Sequence, residues 1–137
     1  MNPSENIGLA RHLIVPPQGP LPEASYRAAC GRAYYCVFAV ARDLLLGGNF
    51  HVPTSGRAHQ VVVDLLKSSR SAAVKALGGQ LDELRHLRNR ADYDVGSRTK
   101  PSSDFVPPKV QLRVLQAQKI AEELRAESGT DARLGIP

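Results

Sequence analysis

The chain has 137 residues, 42% of them hydrophobic, with 18 Lys and Arg against 13 Asp and Glu for a formal charge of +5. This length suits one domain with a real core. No uninterrupted apolar run approaches the roughly 20 residues that cross a bilayer, and Met1-Asn-Pro-Ser-Glu-Asn6 lacks the basic and apolar regions of a secretory signal. These features predict a cytoplasmic protein without a membrane, whose moderate basic bias favours polyanionic partners.

In chain order, residues 4–14 read as a short helix, ended by Pro16-Pro17-Gln-Gly-Pro20, and residues 1–20 together form an N-terminal arm. A long helix is predicted over 21–46. Tyr26, Ala29, Cys30, Ala33, Val37, Val40, Ala41 and Leu44 keep the helical period, and Tyr34, Phe38 and Leu45 widen the buried face. Gly47-Gly48 should stop it. Thr54 or Ser55 is the expected cap of the next helix, through His59, Val62, Val63, Leu65 and Leu66, and Ser68-Ser-Arg-Ser71 marks a break. A helix follows over 71–95, with an interruption expected at Gly78-Gly79. Residues 96–108 read as a linker. The last helix begins near Pro107-Pro108 and packs through Val110, Val114, Ala117, Ala121 and Leu124, leaving 128–137 as a flexible tail. The sum is one domain over 1–137, an all-α antiparallel bundle of four main helices with a short N-terminal helix.

Within this pattern, Leu84-Arg-His-Leu-Arg-Asn-Arg-Ala-Asp-Tyr-Asp94 sets polar groups beside an apolar stripe. At about 100° per residue, Leu77, Leu81, Leu84, Leu87, Ala91 and Val95 share one arc, and Arg85, Arg88, Asn89 and Asp92 line its edge. Arg88 precedes Asp92 in the weaker order for a helix ion pair. Asp92 and Asp94 also sit in a last turn, where the macrodipole disfavours acids. Local rules broken together point to a site, with a structural ion-pair network as the competing reading. Basic residues gather at Lys67, Arg70 and Lys75, and again at Arg85, Arg88, Arg90, Arg98 and Lys100, where phosphates can be touched.

Cys30 and Cys36 lie about 240° apart around their helix, so neither a disulfide nor a shared metal is expected. His12, His51, His59 and His86 show no ligand spacing, so no metal and no cofactor is expected. His86 lies about 120° from Asp92 and on another face. His59 reads as a structural hydrogen-bonding histidine. Arg32 and Tyr35 lie opposite the main stripe, beside the small residues Ala28, Gly31 and Ala39, a face suited to close packing or a dimer. From there Arg32 is expected to reach the Arg88–Asp92 edge, as an ion-pair partner or a phosphate contact. Tyr34 should be core, and Tyr35 the more exposed aromatic.

Ala24-Ser-Tyr-Arg-Ala-Ala-Cys-Gly-Arg-Ala-Tyr-Tyr-Cys-Val-Phe38 resembles the second-helix signature of HEPN domains, and the 84–94 segment is similar to the Arg-x-x-Ala-Asp-Tyr variant of small stand-alone members. With the helices around them, the two matches take in most of residues 5–126. The resemblance implies a helical bundle that dimerises and is commonly paired with a minimal nucleotidyltransferase in toxin–antitoxin or defence modules. It also implies RNA or nucleotide as ligand. Many members are metal-independent ribonucleases with an Arg-Asn-x-x-x-His type motif. Their Arg and polar partner contact the scissile phosphate, and the His transfers a proton as the ribose 2′-hydroxyl attacks. Here Arg88-Asn89 match its start, but Tyr93 stands where the histidine would fall. A phenol with a reference pKa near 10 suits a donor or stacker better than a base at neutral pH. Asp92 would serve as a base only if burial raised its pKa, against the pull of Arg88. Two readings follow. One is an RNA- or nucleotide-binding component using Arg32, Tyr35, Arg85, Arg88, Asn89 and Tyr93; the other is an endoribonuclease with Arg88, Asn89 and Asp92 at the reacting centre.

Overall fold

The sustained apolar period after Pro22 becomes one continuous helix, α1 (Pro22–Gly47), in a computed structural model that describes residues 22–93 and 107–137. Three more follow: α2 (Ala58–Lys67), α3 (Ala72–Tyr93) and α4 (Pro107–Thr130). The described residues contain no strand, so the all-α bundle is as the periodicity implies. The expected helix over 4–14, the arm at 1–20 and residues 94–106, with most of the expected linker, lie outside the described residues, as do the side chains of residues 90–93. No described helix is long and apolar enough to cross a membrane.

α1 is the central element. Its Ala29, Ala33, Tyr34, Val37, Ala41 and Leu45 are fully enclosed, and they meet Val62, Val63 and Leu66 of α2, Leu77, Leu81, Leu84 and Leu87 of α3, and Val110, Val114, Ile120 and Leu124 of α4 in one core. Cys30 and Cys36 are both buried, and neither is in a disulfide. Burial pushes the Cys36 thiol up, opposed by the Arg125 guanidinium.

Two local expectations change. Gly78 and Gly79 do not interrupt α3, which runs straight through them. Gly78 is there for proximity: a Cβ would lie 2.9 Å from Leu66 Cβ and 3.2 Å from the Lys67 backbone nitrogen. The antiparallel α2–α3 pair therefore packs nearly backbone to backbone at this point, an approach only glycine permits. Neither Thr54 nor Ser55 caps α2. Its N-cap is Arg57, with no side-chain cap bond, and Ser55 Oγ instead accepts from the Arg57 N–H at 3.3 Å in a turn just ahead of the helix.

The third change concerns residues 128–137, expected to be a flexible tail. α4 continues to Thr130, and the residues beyond it dock. Leu134 and Ile136 are 1% and 5% exposed, which places them in the core. Asp131 organises the turn by accepting from the backbone of Arg133 at 2.9 Å and of Gly135 at 2.8 Å. Ser69 Oγ donates to Leu134 O at 2.6 Å, and Arg70 N–H donates to Gly135 O at 2.9 Å. On the other side, Arg133 donates to Gly48 O at 2.9 Å and lies over the Phe50 ring. Gly48 is required here, because a Cβ would sit 2.7 Å from Ala132 O. The end of α1 is thus closed around Asn49, which takes φ 67° and lets Phe50 N–H reach back to Leu45 O.

Two tests follow. Gly78→Val should lower stability by about 1–3 kcal/mol through overpacking, whereas Gly79→Ala, with open space around it, should raise it by roughly 0.5–1 kcal/mol. Truncation after Thr130 removes the burial of Leu134 and Ile136 and should lower stability by roughly 3–6 kcal/mol. Urea unfolding of the three variants measures both effects.

Candidate functional site

Adjacent residues on a helix point about 100° apart, and Tyr34 and Tyr35 use that divergence to meet two different helices. Tyr34 is fully buried, with its ring against Phe38 and edge-on to Tyr35. Its hydroxyl is hydrogen-bonded to His59 Nδ1, from the second residue of α2. The imidazole lies flat on the Phe38 ring, centroids 4.3 Å apart and planes 26° from parallel. Burial, then the guanidinium groups of Arg88 and Arg85, hold His59 below the ordinary imidazole pKa. The ring is therefore neutral at pH 7. Burial pushes the Tyr34 phenol far up, so Tyr34 keeps its proton and donates it to Nδ1. That bond fixes the tautomer and leaves the imidazole N–H on Nε2.

Tyr35 turns toward α3. Arg88 donates from Nη2 to the Tyr35 hydroxyl at 2.7 Å and stands 5.0 Å from the ring centroid, a cation–π arrangement. Arg88 Nη1 also reaches Asn89 Oδ1 at 3.4 Å. One turn earlier, Arg85 donates to Gln60 Oε1 at 2.8 Å, and Gln60 in turn donates to Asp64. Two guanidinium groups, two amides, a phenol and a neutral imidazole thus share one edge where α1, α2 and α3 meet. Beyond His59 opens a cleft of about 480 Å³, walled by Phe38, Val52 and Pro53 and edged by Arg42, Thr54 and Ser55.

Of the residues singled out from sequence, Tyr35, Arg85, Arg88 and Asn89 are brought together. Arg32 is not: it is exposed, with no bond to the Arg88 edge among the described residues. Tyr35, one turn further along α1, holds the contact that Arg32 was expected to make. Tyr35 is accordingly half-buried and, as expected, the more exposed of the two tyrosines, with Tyr34 in the core. Asp92 and Tyr93 close α3, and their side chains lie outside the described residues. His86 faces away, exposed and 3.7 Å from Asp82, which also binds Lys67 at 3.2 Å. Tyr34 and Gln60 were not expected at the site, and His59, expected as a structural hydrogen-bonding histidine, makes that bond to Tyr34 beside it. The one signal for them is a tyrosine on a fully buried stripe, whose hydroxyl must find a partner on a neighbouring helix. Among the described residues no group of His, Cys, Asp and Glu is placed to hold a metal ion.

No family model matches the sequence, and no solved structure matches it. The chain is similar to the uncharacterized protein MJ0992 of Methanocaldococcus jannaschii, with 34% identity over 92 residues that cover 53% of this chain and 50% of that protein. The match therefore spans about half the length of that relative.

The lowered pKa of His59 has a signed consequence. Its stabilising contribution should be complete above the ordinary imidazole value of about 6.5 and be lost as pH falls from there toward the lowered native value. Urea midpoints measured between neutral and mildly acidic pH should fall more steeply for the wild type than for His59→Phe, which keeps the ring stack and cannot titrate.

Proposed function

We propose that the chain is a HEPN-like nucleotide- or RNA-binding component of a toxin–antitoxin or defence module, acting as a homodimer with a minimal nucleotidyltransferase. The observation that carries this reading is the Arg88 guanidinium, held in place by the Tyr35 hydroxyl and ring beside Asn89 and Arg85. A planar fork whose orientation is set in advance suits a phosphate oxygen pair. The bond to a neutral phenol orients the charge without itself neutralising it. A net charge of +5 adds attraction for a polyanion. The HEPN resemblance supplies the module and the nucleotidyltransferase partner. For the dimer, Ala28 and Gly31 stand on the outer side of α1, and a Cβ added at Gly31 would meet nothing within 4 Å.

The second reading, a metal-independent endoribonuclease, is favoured by one observation: a neutral histidine from α2 stands by the arginine edge although α3 carries Tyr93 at the motif's histidine position.

Arg88→Ala should weaken binding of single-stranded RNA by about 10- to 100-fold, the worth of one or two charge-assisted hydrogen bonds at 1.5–3 kcal/mol. It should also reduce the salt slope by about one, while Arg88→Lys restores part of the salt slope and little of the affinity. Fluorescence anisotropy across a salt series measures both. Equal affinity in all three proteins would remove the phosphate role. Gly31→Glu should fold normally and scatter light as a monomer; a dimer of unchanged mass would exclude this face as the interface.

A further inference from the structure

We propose that the cleft beyond His59 is a base subsite for single-stranded RNA, in which one base packs on Phe38, Val52 and Pro53, His59 Nε2–H donates to its acceptor edge, and phosphates lie on Arg88 and Arg42. The inference rests on the RNA-binding reading above and adds where a base is held and which group recognises it.

Tyr35, Phe38 and Arg42 stand three and four residues apart and so share one face of α1. Tyr35 fixes Arg88 at one end of this row. The Arg42 guanidinium marks the other end, 5.7 Å from the Phe38 ring centroid. Seven helical residues separate the two ends by about 10.5 Å, which roughly three nucleotides cover at about 3.4 Å per phosphate in a stacked strand. The span therefore suits a strand better than a single nucleotide. Asp43 pairs with Arg42 at 3.3 Å, but both side chains are exposed, and a pair of that kind is weak enough in water for a phosphate to replace it.

Phe38 lies between the two cations, and the cleft of about 480 Å³ opens beside it. That volume falls within the roughly 300–1,000 Å³ usual for sites that take small organic rings, and an apolar wall with few polar groups is their usual lining. His59 supplies the central polar group. With Tyr34 donating to Nδ1, Nε2 carries the imidazole N–H. Among the described residues Nε2 makes no hydrogen bond, and it is not sealed from solvent. The ring lines the cleft and is held flat on Phe38, 4.3 Å between centroids, so its donor is oriented before any ligand arrives. As a donor alone, this N–H selects base edges that carry an acceptor. Uracil offers two carbonyl oxygens.

The test uses the full chain and fluorescence anisotropy with two short labelled strands, one of uridines and one a ribose–phosphate chain of the same length without bases. The wild type should bind the uridine strand about 5- to 100-fold more tightly than the baseless one. Tyr34→Phe combined with His59→Phe removes both partners of the buried bond and keeps both rings. This double variant should lose about 3- to 10-fold of that preference while its affinity for the baseless strand stays unchanged. Arg42→Ala should instead weaken both strands alike and lower the salt slope by about one. A uridine strand carrying one 4-thiouridine, irradiated on the wild type, should crosslink to Phe38 or to residues 49–59, a result that needs no substitution. Equal affinity of the wild type for the two strands, an undiminished preference in the double variant, unchanged binding by Arg42→Ala, or crosslinks confined to other parts of the chain would each overturn the inference and leave the binding reading intact. Displacement of the uridine strand by uridine monophosphate as readily as by an unlabelled strand would overturn it in favour of a free nucleotide. Failure of the wild type to bind either strand would end both readings.

Discussion

The hydroxyl of Tyr34 is the constraint on which the rest of the arrangement depends. The side chain is wholly enclosed, and a buried phenol without a partner would be destabilising by about 1–3 kcal/mol. Only His59 answers it among the described residues. That single requirement fixes where α2 begins, since the imidazole must lie at the level of Tyr34 and Phe38. It also fixes the approach of α3, because α2 and α3 meet through the Gly78 contact and the Gln60–Arg85 bond. Tyr35, the next residue, then finds Arg88 opposite it. Two consecutive aromatic residues thereby tie one helix to two others, each through one polar atom at the tip of a large apolar ring.

The electrostatic pattern follows from the same geometry. Asp82, one turn from Arg85 on α3, is occupied by Lys67 and His86, and Asp64 is engaged by Gln60. The side of α3 facing Tyr34 and Tyr35 carries Arg85 and Arg88. Their combined potential acts on His59 along with its burial, and both disfavour the imidazolium. A pair of arginines thus adds to burial in keeping a neighbouring imidazole uncharged.

Sequence periodicity alone locates the four helices, because each buries a stripe long enough for the 3.6-residue repeat to stand out. The Arg85–Arg88–Asn89 edge is legible for the same reason: its members lie on one helix, where spacing determines angle. His59 is different, since its approach depends on how α2 packs against α1, and no local rule carries that distance. Arg32 and Tyr35 show the limit from the other side. Both face outward on a helical wheel, yet only the crossing of α1 and α3 decides that the second meets Arg88. The docked residues 131–136 escape a periodic reading because they have no period. Two apolar side chains around a glycine at φ 70° form a plug, not a helix or strand. Gly78 misleads in a more instructive way, since intrinsic propensity marks it as a weak point and tertiary contact makes it a point of closest approach.

The two cysteines of α1 turn the core into a reporter of its own opening. Cys30 and Cys36 are both buried along the central helix, and the raised pKa of Cys36 further reduces its thiolate fraction. A thiol reagent in solution attacks only the thiolate it can reach. Alkylation of the native protein is therefore gated by excursions that separate α1 from its partners, so its rate reads the free energy of those excursions. A molecule whose polar edge is held by two tyrosines of that same helix thus carries, in two thiols of the helix, its own gauge of how firmly it is held.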